Sequence, residues 1–269
     1  MHIDQLKNVF KLFITGFPIL IFSVSSKPAS KNFSATYLPG EQIRYRVHYG
    51  FFNAGEAYMR LTDKFYLVNN IVCYRAEIIG NSTGAFDRII RIRDVWGSYF
   101  DSVRFQPQKS FRSIQENKYR KREETFFDYS RNVARVVAEN DTPEVISVVP
   151  GIQDMVSGYY FLRLLNYNNL QRNDTIKLVG IFEDKTYNFN ILYLGKTKIK
   201  TRFGKSNAFL ISPVMPPNKL FKGEYPIRMW ISDDQNRIPL KIEAELLLGS
   251  LDLDITDYSN LKYPIQFKK

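Results

Sequence analysis

The stretch Ile43–Leu61, IRYRVHYGFFNAGEAYMRL, decides the fold. Apolar residues alternate with charged or polar residues at a period of two, which is typical of a β-strand with one buried face. The alternation stops at a turn placed at residues 51–55 and then resumes, so the stretch predicts an antiparallel hairpin. The predicted buried face carries Ile43, Tyr45, Val47, Tyr49, Ala57, Met59 and Leu61.

The opposite face of the first strand carries Arg44, Arg46 and His48. We interpret this row as a candidate ligand-binding surface, because cations attract anionic lipid headgroups or acidic envelope glycan. A second alternating row, Lys196, Lys198 and Lys200, would extend the same basic rim. The interpretation that we favour in both places is an ordinary solvated strand face.

Composition limits the class of protein. The chain has 269 residues, of which 44% are hydrophobic and 15% aromatic, so a β-rich core is feasible. Its single cysteine, Cys73, excludes an intramolecular disulfide and a thiolate zinc site. With two histidines and no phosphate-binding or dinucleotide-binding motif, the sequence predicts no metal and no cofactor.

The N-terminus predicts export. Lys7 and Lys11 precede an apolar run of residues 12–24, which is shorter than the roughly 20 residues of a membrane span. We therefore expect a signal peptide at residues 1–26, a flexible lead-in at 27–37 and one β-rich domain at 38–269. No cysteine follows the apolar run, so the expected product is periplasmic or outer-envelope associated, peripheral to a membrane at most, and not a lipoprotein.

The remaining sequence contains about a dozen strand-like runs and one convincing helix, in residues 150–170. Met155, Tyr159 and Leu162 recur at helical spacing and predict a face packed on the sheet. The predicted fold is mainly β: a single curved antiparallel sheet or open β-barrel, with one α-helix packed in or against it. A net charge of +11 permits nucleic-acid binding, but export and the absence of nucleic-acid-binding motifs argue against it.

Two groups of polar residues are candidate site residues. Asp94, Asp154 and Arg163 are expected to form a structural cluster where the helix meets the sheet, and Asp233, Asp234 and Arg237 to stabilise a turn between two strands. The alternative is that these carboxylates cleave glycan by acid–base chemistry. Because no nucleophile with an adjacent base is evident, we favour a protein without catalytic residues.

Two further stretches carry weaker expectations. The aromatic row Tyr159, Tyr160 and Phe161 is a candidate ligand-binding surface, although a core-facing stripe is the default interpretation. The charged stretch at residues 116–124 predicts a solvated turn and edge strand, because its cations are offset by Glu116, Glu123 and Glu124.

Five motifs in order resemble a known family. They are LPGEQIRYRVHYGFFNAGEA, IRDVWGSYFD, GIQDMVSGYYFLR, FGKSNAFLISPVM and MWISDDQNRIPLKIEAELLLGSLDLDI, and they span residues 38–258 approximately. They are similar to the bacterial envelope family called domain of unknown function 3108, with Lys205 and Asn207 as departures. The resemblance implies an exported β-rich protein and names no activity.

Three functions follow from these expectations. The first is non-catalytic binding or assembly of an apolar or amphiphilic, lipid-like ligand. The second is hydrolysis of envelope glycan, and the third is a structural module that binds a partner protein through exposed strand edges. We expect the first.

Overall fold

The computed structural model describes residues 35–139, 141–182, 185–213, 221–265 and 267–268. Within these residues, fifteen strands belong to one sheet. Their bounds are β1 Gln42–Tyr49, β2 Phe52–Leu61, β3 Tyr66–Val68, β4 Ile71–Ser82, β5 Arg93–Asp101, β6 Pro107–Glu116, β7 Tyr119–Asp128, β8 Val133–Ala138, β9 Glu144–Ser147, β10 Thr175–Phe182, β11 Lys185–Thr201, β12 Gly204–Pro213, β13 Ile227–Ser232, β14 Pro239–Glu245 and β15 Ser250–Ser259.

The hairpin that opens the sequence forms as β1 and β2. Ile43 lies opposite Met59 and Tyr45 opposite Ala57, and all four side chains are buried. The turn is tighter than expected, because β2 already begins at Phe52 and only Gly50 and Phe51 remain outside the strands. Gly50 has a φ of +56°, the left-handed conformation that two-residue hairpin turns require.

The strands form a meander with antiparallel pairing. Their order is β10-β11-β12-β13-β14-β15-β1-β2-β4-β5-β6-β7-β8-β9, with β3 paired to β4. The sheet is not closed. Instead, the segment after β9 runs beside edge strand β10. There the backbone N–H of Gln153 donates to Val179 O at 2.9 Å, and Gln153 O accepts from Ile181 N at 2.8 Å. The expectation of a mainly β, curved antiparallel sheet is confirmed.

The described residues form two α-helices where the sequence predicted one: α1 at Gly84–Ile89 and α2 at Met155–Leu162, followed by a 3₁₀ turn at Tyr167–Asn169. Helix α2 is shorter than predicted and begins after Asp154, whose carboxylate caps it. Its buried face consists of Val156, Ser157, Tyr159, Tyr160 and Leu162. The prediction for Met155 was wrong, because this first helical residue is 43% exposed.

The largest core cluster lies between α2 and the inner face of the sheet. Tyr159 and Tyr160 of α2 pack there with strand residues that include Ile43, Tyr45 and Phe100. Tyr37 completes this core with 0% exposure. Thr36 and Tyr37 were expected in the flexible lead-in, so the packed domain begins before Leu38.

Residues 1–34 lie outside the described residues, so the signal peptide and its cleavage point remain sequence-based predictions. None of the helices that the structure describes has the length and apolar composition needed to cross a membrane.

Candidate functional site: a cleft at the start of helix α2

The inner face of β5, β6 and β7 is polar where the neighbouring core is apolar. Ser98 of β5 lies opposite Ser110 of β6, and Ser110 lies opposite Thr125 of β7. One pair further along, Arg112 lies opposite Glu123. Because side chains alternate between faces along a strand, Ser98 shares the inner face with the core residue Phe100, two positions on.

These strands form one wall of a cleft of about 40 Å³. One water molecule needs a cavity volume of at least ~10–15 Å³, so the cleft has room for a few waters or a small chemical group. Helix α2 and edge strand β10 form the other walls. The side chains at its walls are both apolar and polar: Trp96, Met155, Val156, Ile181, Ser110, Arg112, Glu123, Thr125 and Asp154.

A buried ion pair holds the charged part of the cleft in place. Arg112 Nη2 donates to Glu123 Oε2 at 2.8 Å, and the two side chains are 5% and 8% exposed. Lys121 Nζ lies 3.2 Å from the same carboxylate oxygen. The Arg112 guanidinium also lies 5.7 Å from the centre of the Trp96 ring. Glu123 is therefore fixed beside two cations. The expectation of a solvated turn and edge strand was wrong for Glu123 and Glu116, because both side chains are buried.

Asp154 connects the cleft to α2. Its Oδ1 accepts from the backbone N–H groups of Val156 and Ser157, and its Oδ2 accepts from Ser98 Oγ at 2.6 Å. Ser157 Oγ in turn accepts from Asp154 N at 3.0 Å, which completes a capping box. Burial raises the pKa of Asp154 to about 6, although the hydrogen bonds to the carboxylate act in the opposite direction.

This pKa predicts a pH-dependent stability. A carboxyl group whose pKa is higher in the folded than in the unfolded state stabilises the fold while protonated, and that contribution is lost as the pH rises from about 4 through 6. The loss is about 2–3 kcal/mol. Asp154→Asn keeps the cap but cannot ionise, so its stability relative to wild type should rise by that amount between pH 4 and pH 7.

Urea unfolding of the two proteins at a series of pH values measures this difference. Because other titrating groups are common to both proteins, their contributions cancel in the comparison. A stability difference between wild type and Asp154→Asn that is constant from pH 4 to pH 7 would contradict the prediction.

The predicted basic row lies on the outer face of the sheet. Arg44 Nη2 is 2.5 Å from Glu56 Oε1, and His48 Nε2 is 3.8 Å from Asp254 Oδ2. Arg46 is exposed and lies opposite Asp254 in the register. Carboxylates thus accompany the cations of this face, which favours the solvated-face alternative.

The second row of lysines does not extend the first. Lys196, Lys198 and Lys200 lie on β11, which the strand order places five steps from β1. At about 4.8 Å for each step this is about 24 Å along the sheet. Lys196 is moreover paired with Asp233 at 3.0 Å. The expected continuous basic rim is therefore absent from these positions.

The aromatic row of α2 belongs mainly to the core. Tyr159 and Tyr160 are 6% and 0% exposed, and Phe161 packs against the same core cluster while partly buried. Tyr159 Oη lies 3.3 Å from Tyr45 Oη. A ligand would reach these rings only after displacing the core around them, so the core-facing alternative fits the structure.

The predicted cluster of Asp94, Asp154 and Arg163 is not assembled. Asp94 Oδ1 accepts from Gln115 N at 2.9 Å, and burial raises the pKa of this carboxyl. Asp154 caps α2, whereas Arg163, at the other end of the helix, pairs with Glu41. The prediction was wrong because the buried partner of Arg163 comes from the chain before β1. Sequence reasoning missed Glu41. The only sequence signal for this residue was its position directly before the first strand.

The second polar group forms the turn between β13 and β14. Asp234 Oδ1 accepts from the backbone N–H groups of Asn236 and Arg237 at 2.9 and 3.0 Å, and from Ser232 Oγ at 2.8 Å. Arg237 has a φ of +49° in this turn. Asp233 and Asp234 therefore have structural partners of their own, separate from those of Asp94 and Asp154.

Among the residues that the structure describes, no group of three or more histidine, cysteine, aspartate and glutamate side chains is arranged to hold a metal ion. Cys73 is buried, and burial raises the pKa of its thiol to about 12, which keeps it protonated at neutral pH.

Comparison with known proteins bears on family and fold. The family described as "Protein of unknown function (DUF3108)" matches residues 44–256. No curated protein matches. Among solved structures, the chain is similar to a β-barrel-like protein of domain of unknown function DUF1849 from Brucella abortus, with a TM-score of 0.56 and 8% identity. That alignment covers 84% of this chain and 99% of the Brucella chain, and it supports the fold alone.

Proposed function

The chain belongs to the DUF3108 family, whose description assigns no function, and on that premise we propose that it is an exported envelope protein that binds a small amphiphilic molecule. The cleft at the start of α2 holds a small polar group of the ligand, the rest of the molecule lies on the open surface beside Met155, and binding is non-catalytic. The observation that carries the proposal is the mixed lining of the cleft, in which apolar side chains face a buried, hydrogen-bonding strand surface.

The apolar side of the cleft is partly open. Met155 is 43% exposed at its edge, while Val156 and Ile181 are 2% and 6% exposed behind it. An alkyl chain placed against Met155 would remove apolar surface from water at a gain of about 25 cal/mol for each Å². A short lipid tail therefore fits this side better than a fully hydrated sugar does.

The polar side suits a neutral or zwitterionic head group. Two cations, Arg112 and Lys121, lie with Glu123 in one network, and Asp154 adds a second carboxyl group. The positive and negative charges nearly balance, so a head group with a large net charge would gain little electrostatic attraction. Ser110 and Thr125 offer hydroxyl groups at the same wall, which supports hydrogen bonding to a polar head.

The partners of the carboxylates support binding over catalysis. Both oxygens of Asp154 accept hydrogen bonds from its own cap and from Ser98, and Glu123 is paired with Arg112. An acid–base mechanism needs a carboxyl group free to exchange a proton with substrate. Export rests on the N-terminal sequence, with its cations before a short apolar run.

Native mass spectrometry of the protein purified from its own envelope tests the proposal. We expect an added mass that fits a lipid or lipid-like amphiphile. Ser110→Phe fills the cleft and should lower the bound fraction at least tenfold. The control, Ser113→Phe, places the same ring on the same strand three residues away, where it faces outward.

Two results would contradict the proposal. One is equal loss of the added mass in both variants, since binding would then not depend on the cleft. The other is a bound glycan, or no bound molecule at all, in protein taken directly from the envelope.

A further inference from the structure

Two neighbouring hairpin turns present large apolar side chains to solvent. Phe51 and Phe52 at the β1–β2 turn are 103% and 64% exposed. Leu247 and Leu248 at the β14–β15 turn are 59% and 50% exposed. We call these four residues the apolar tip. The two turns lie at the same end of the sheet, because β15 pairs with β1.

The tip is held in place by hydrogen bonds between the two turns. Tyr49 Oη donates to Leu248 O at 2.5 Å, and Gly50 N donates to Ser250 O at 3.1 Å. Gly249 has a φ of +86°, which keeps the second turn tight. The tip side chains are therefore presented by ordered turns.

A complete core cluster lies beneath the tip. Tyr49, Leu246 and Leu251 are buried there together with Phe86 of α1 and Phe221. The tip residues are thus additional to the packing that closes this end of the sheet. Four exposed large apolar side chains on two adjacent turns indicate a contact surface.

Exposed cations lie on two segments next to the tip strands. Arg88 on α1 is exposed, and α1 is tied to β2 by Thr83 N donating to Ala54 O at 3.1 Å. Lys222 is exposed and joined to the end of β14 by its N–H bond to Glu245 O at 3.0 Å. One exposed carboxylate, Glu224, shares this segment.

We propose that the apolar tip docks the protein on an anionic lipid bilayer surface. Protruding phenylalanine and leucine side chains enter the boundary between head groups and acyl chains, while the neighbouring cations face the anionic head groups. The convex shape favours a bilayer over a partner protein, because a protein would need a groove that accepts both turns together. No tip residue lines the cleft, so docking and ligand binding involve separate surfaces.

The opposite end of the sheet supplies a matched control. Val103, in the β5–β6 turn, is 76% exposed, and Leu67 on β3 is 69% exposed. Because these residues lie at the end of the sheet opposite the tip, they test whether an exposed apolar side chain alone is enough for membrane contact.

The experiment measures local insertion in the full chain with vesicles of phosphatidylglycerol and brominated phosphatidylcholine in equal amounts. Bromine quenches only a tryptophan that enters the bilayer. We expect Phe51→Trp fluorescence to fall at least threefold on vesicle addition and Val103→Trp fluorescence to stay constant, after subtraction of wild-type emission from Trp96 and Trp230. This readout is local, so membrane contact by another segment does not imitate it.

A second measurement is vesicle co-sedimentation at low and high salt. The double variant Phe51→Ser, Phe52→Ser should bind at least tenfold more weakly than Leu67→Ser, Val103→Ser, and high salt should weaken the wild type. Equal quenching at both ends, no quenching at Phe51→Trp, or equal binding of the two double variants would overturn the proposal. So would loss of a dimer in the tip variant without any vesicle binding by wild type.

Discussion

Replacing Arg163 with methionine should destabilise the fold by about 3–5 kcal/mol, because it leaves a buried carboxylate without its cation. Arg163 and Glu41 are both 0% exposed. Arg163 Nη1 and Nη2 donate to the two oxygens of Glu41, the second at 2.9 Å, and Nε donates to Asn236 O at 3.1 Å. The side chain thus connects the end of α2, the chain before β1 and the β13–β14 turn.

Urea unfolding of the single variants and the double variant separates the pair from its surroundings. Arg163→Met and Glu41→Leu should each be strongly destabilising, since each leaves one buried charge. The double variant should cost clearly less than the sum, because no charge then remains unpaired. A stability of Arg163→Met within about 1 kcal/mol of wild type would show that the pair does not connect these segments.

Replacing Tyr37 with alanine should also cost about 3–5 kcal/mol, as expected when a large buried aromatic side chain is removed. Tyr37 is 0% exposed, and its ring lies 5.0 Å from that of Tyr160 and 5.5 Å from that of Tyr74. The Arg163 guanidinium lies 5.2 Å from the same ring. The loss would therefore leave a cavity at the centre of the core.

A conservative substitution of Tyr37 should raise the stability of the fold instead of lowering it. In the part of the chain that the structure describes, the Tyr37 hydroxyl has no hydrogen-bond partner. Tyr37→Phe removes this buried polar group and should raise stability by about 1 kcal/mol. Tyr45→Phe is the matched control: its hydroxyl donates to Pro239 O at 2.8 Å, so the change should lower stability by about 1 kcal/mol. If both phenylalanine variants lose stability equally, the Tyr37 hydroxyl has a partner.

The sheet was predictable because its signal is local. Ile43, Tyr45, Ala57 and Met59 alternate with polar residues along two adjacent strands, and burial of one face follows directly from that pattern. The existence of helix α2 was predictable for the same reason, although its start was placed after Gly151, and Asp154 is the cap rather than a first-turn residue. Its packed face was predicted only in part, since Met155 continues the apolar pattern but lies outside the core at the start of the helix.

The cleft could not be predicted because its residues meet only across strands. Ser98, Ser110 and Thr125 belong to three strands, and nothing local distinguishes a polar inner face from a polar outer one. Glu123 sits in a stretch so rich in charge that exposure was the natural expectation, although Arg112 accompanies it into the interior. Arg163 shows the same limit, since its partner lies 122 residues away.

The most direct test of ligand binding in the cleft uses Trp96, which lines it. The chain has two tryptophans, so Trp230→Phe leaves Trp96 as the only tryptophan and Trp96→Phe leaves Trp230. Titration with lysophosphatidylethanolamine, a zwitterionic single-chain lipid, should shift Trp96 emission in a saturable manner and leave Trp230 emission unchanged. A shift confined to Trp230, or no shift in either variant, would contradict binding of an amphiphile in the cleft.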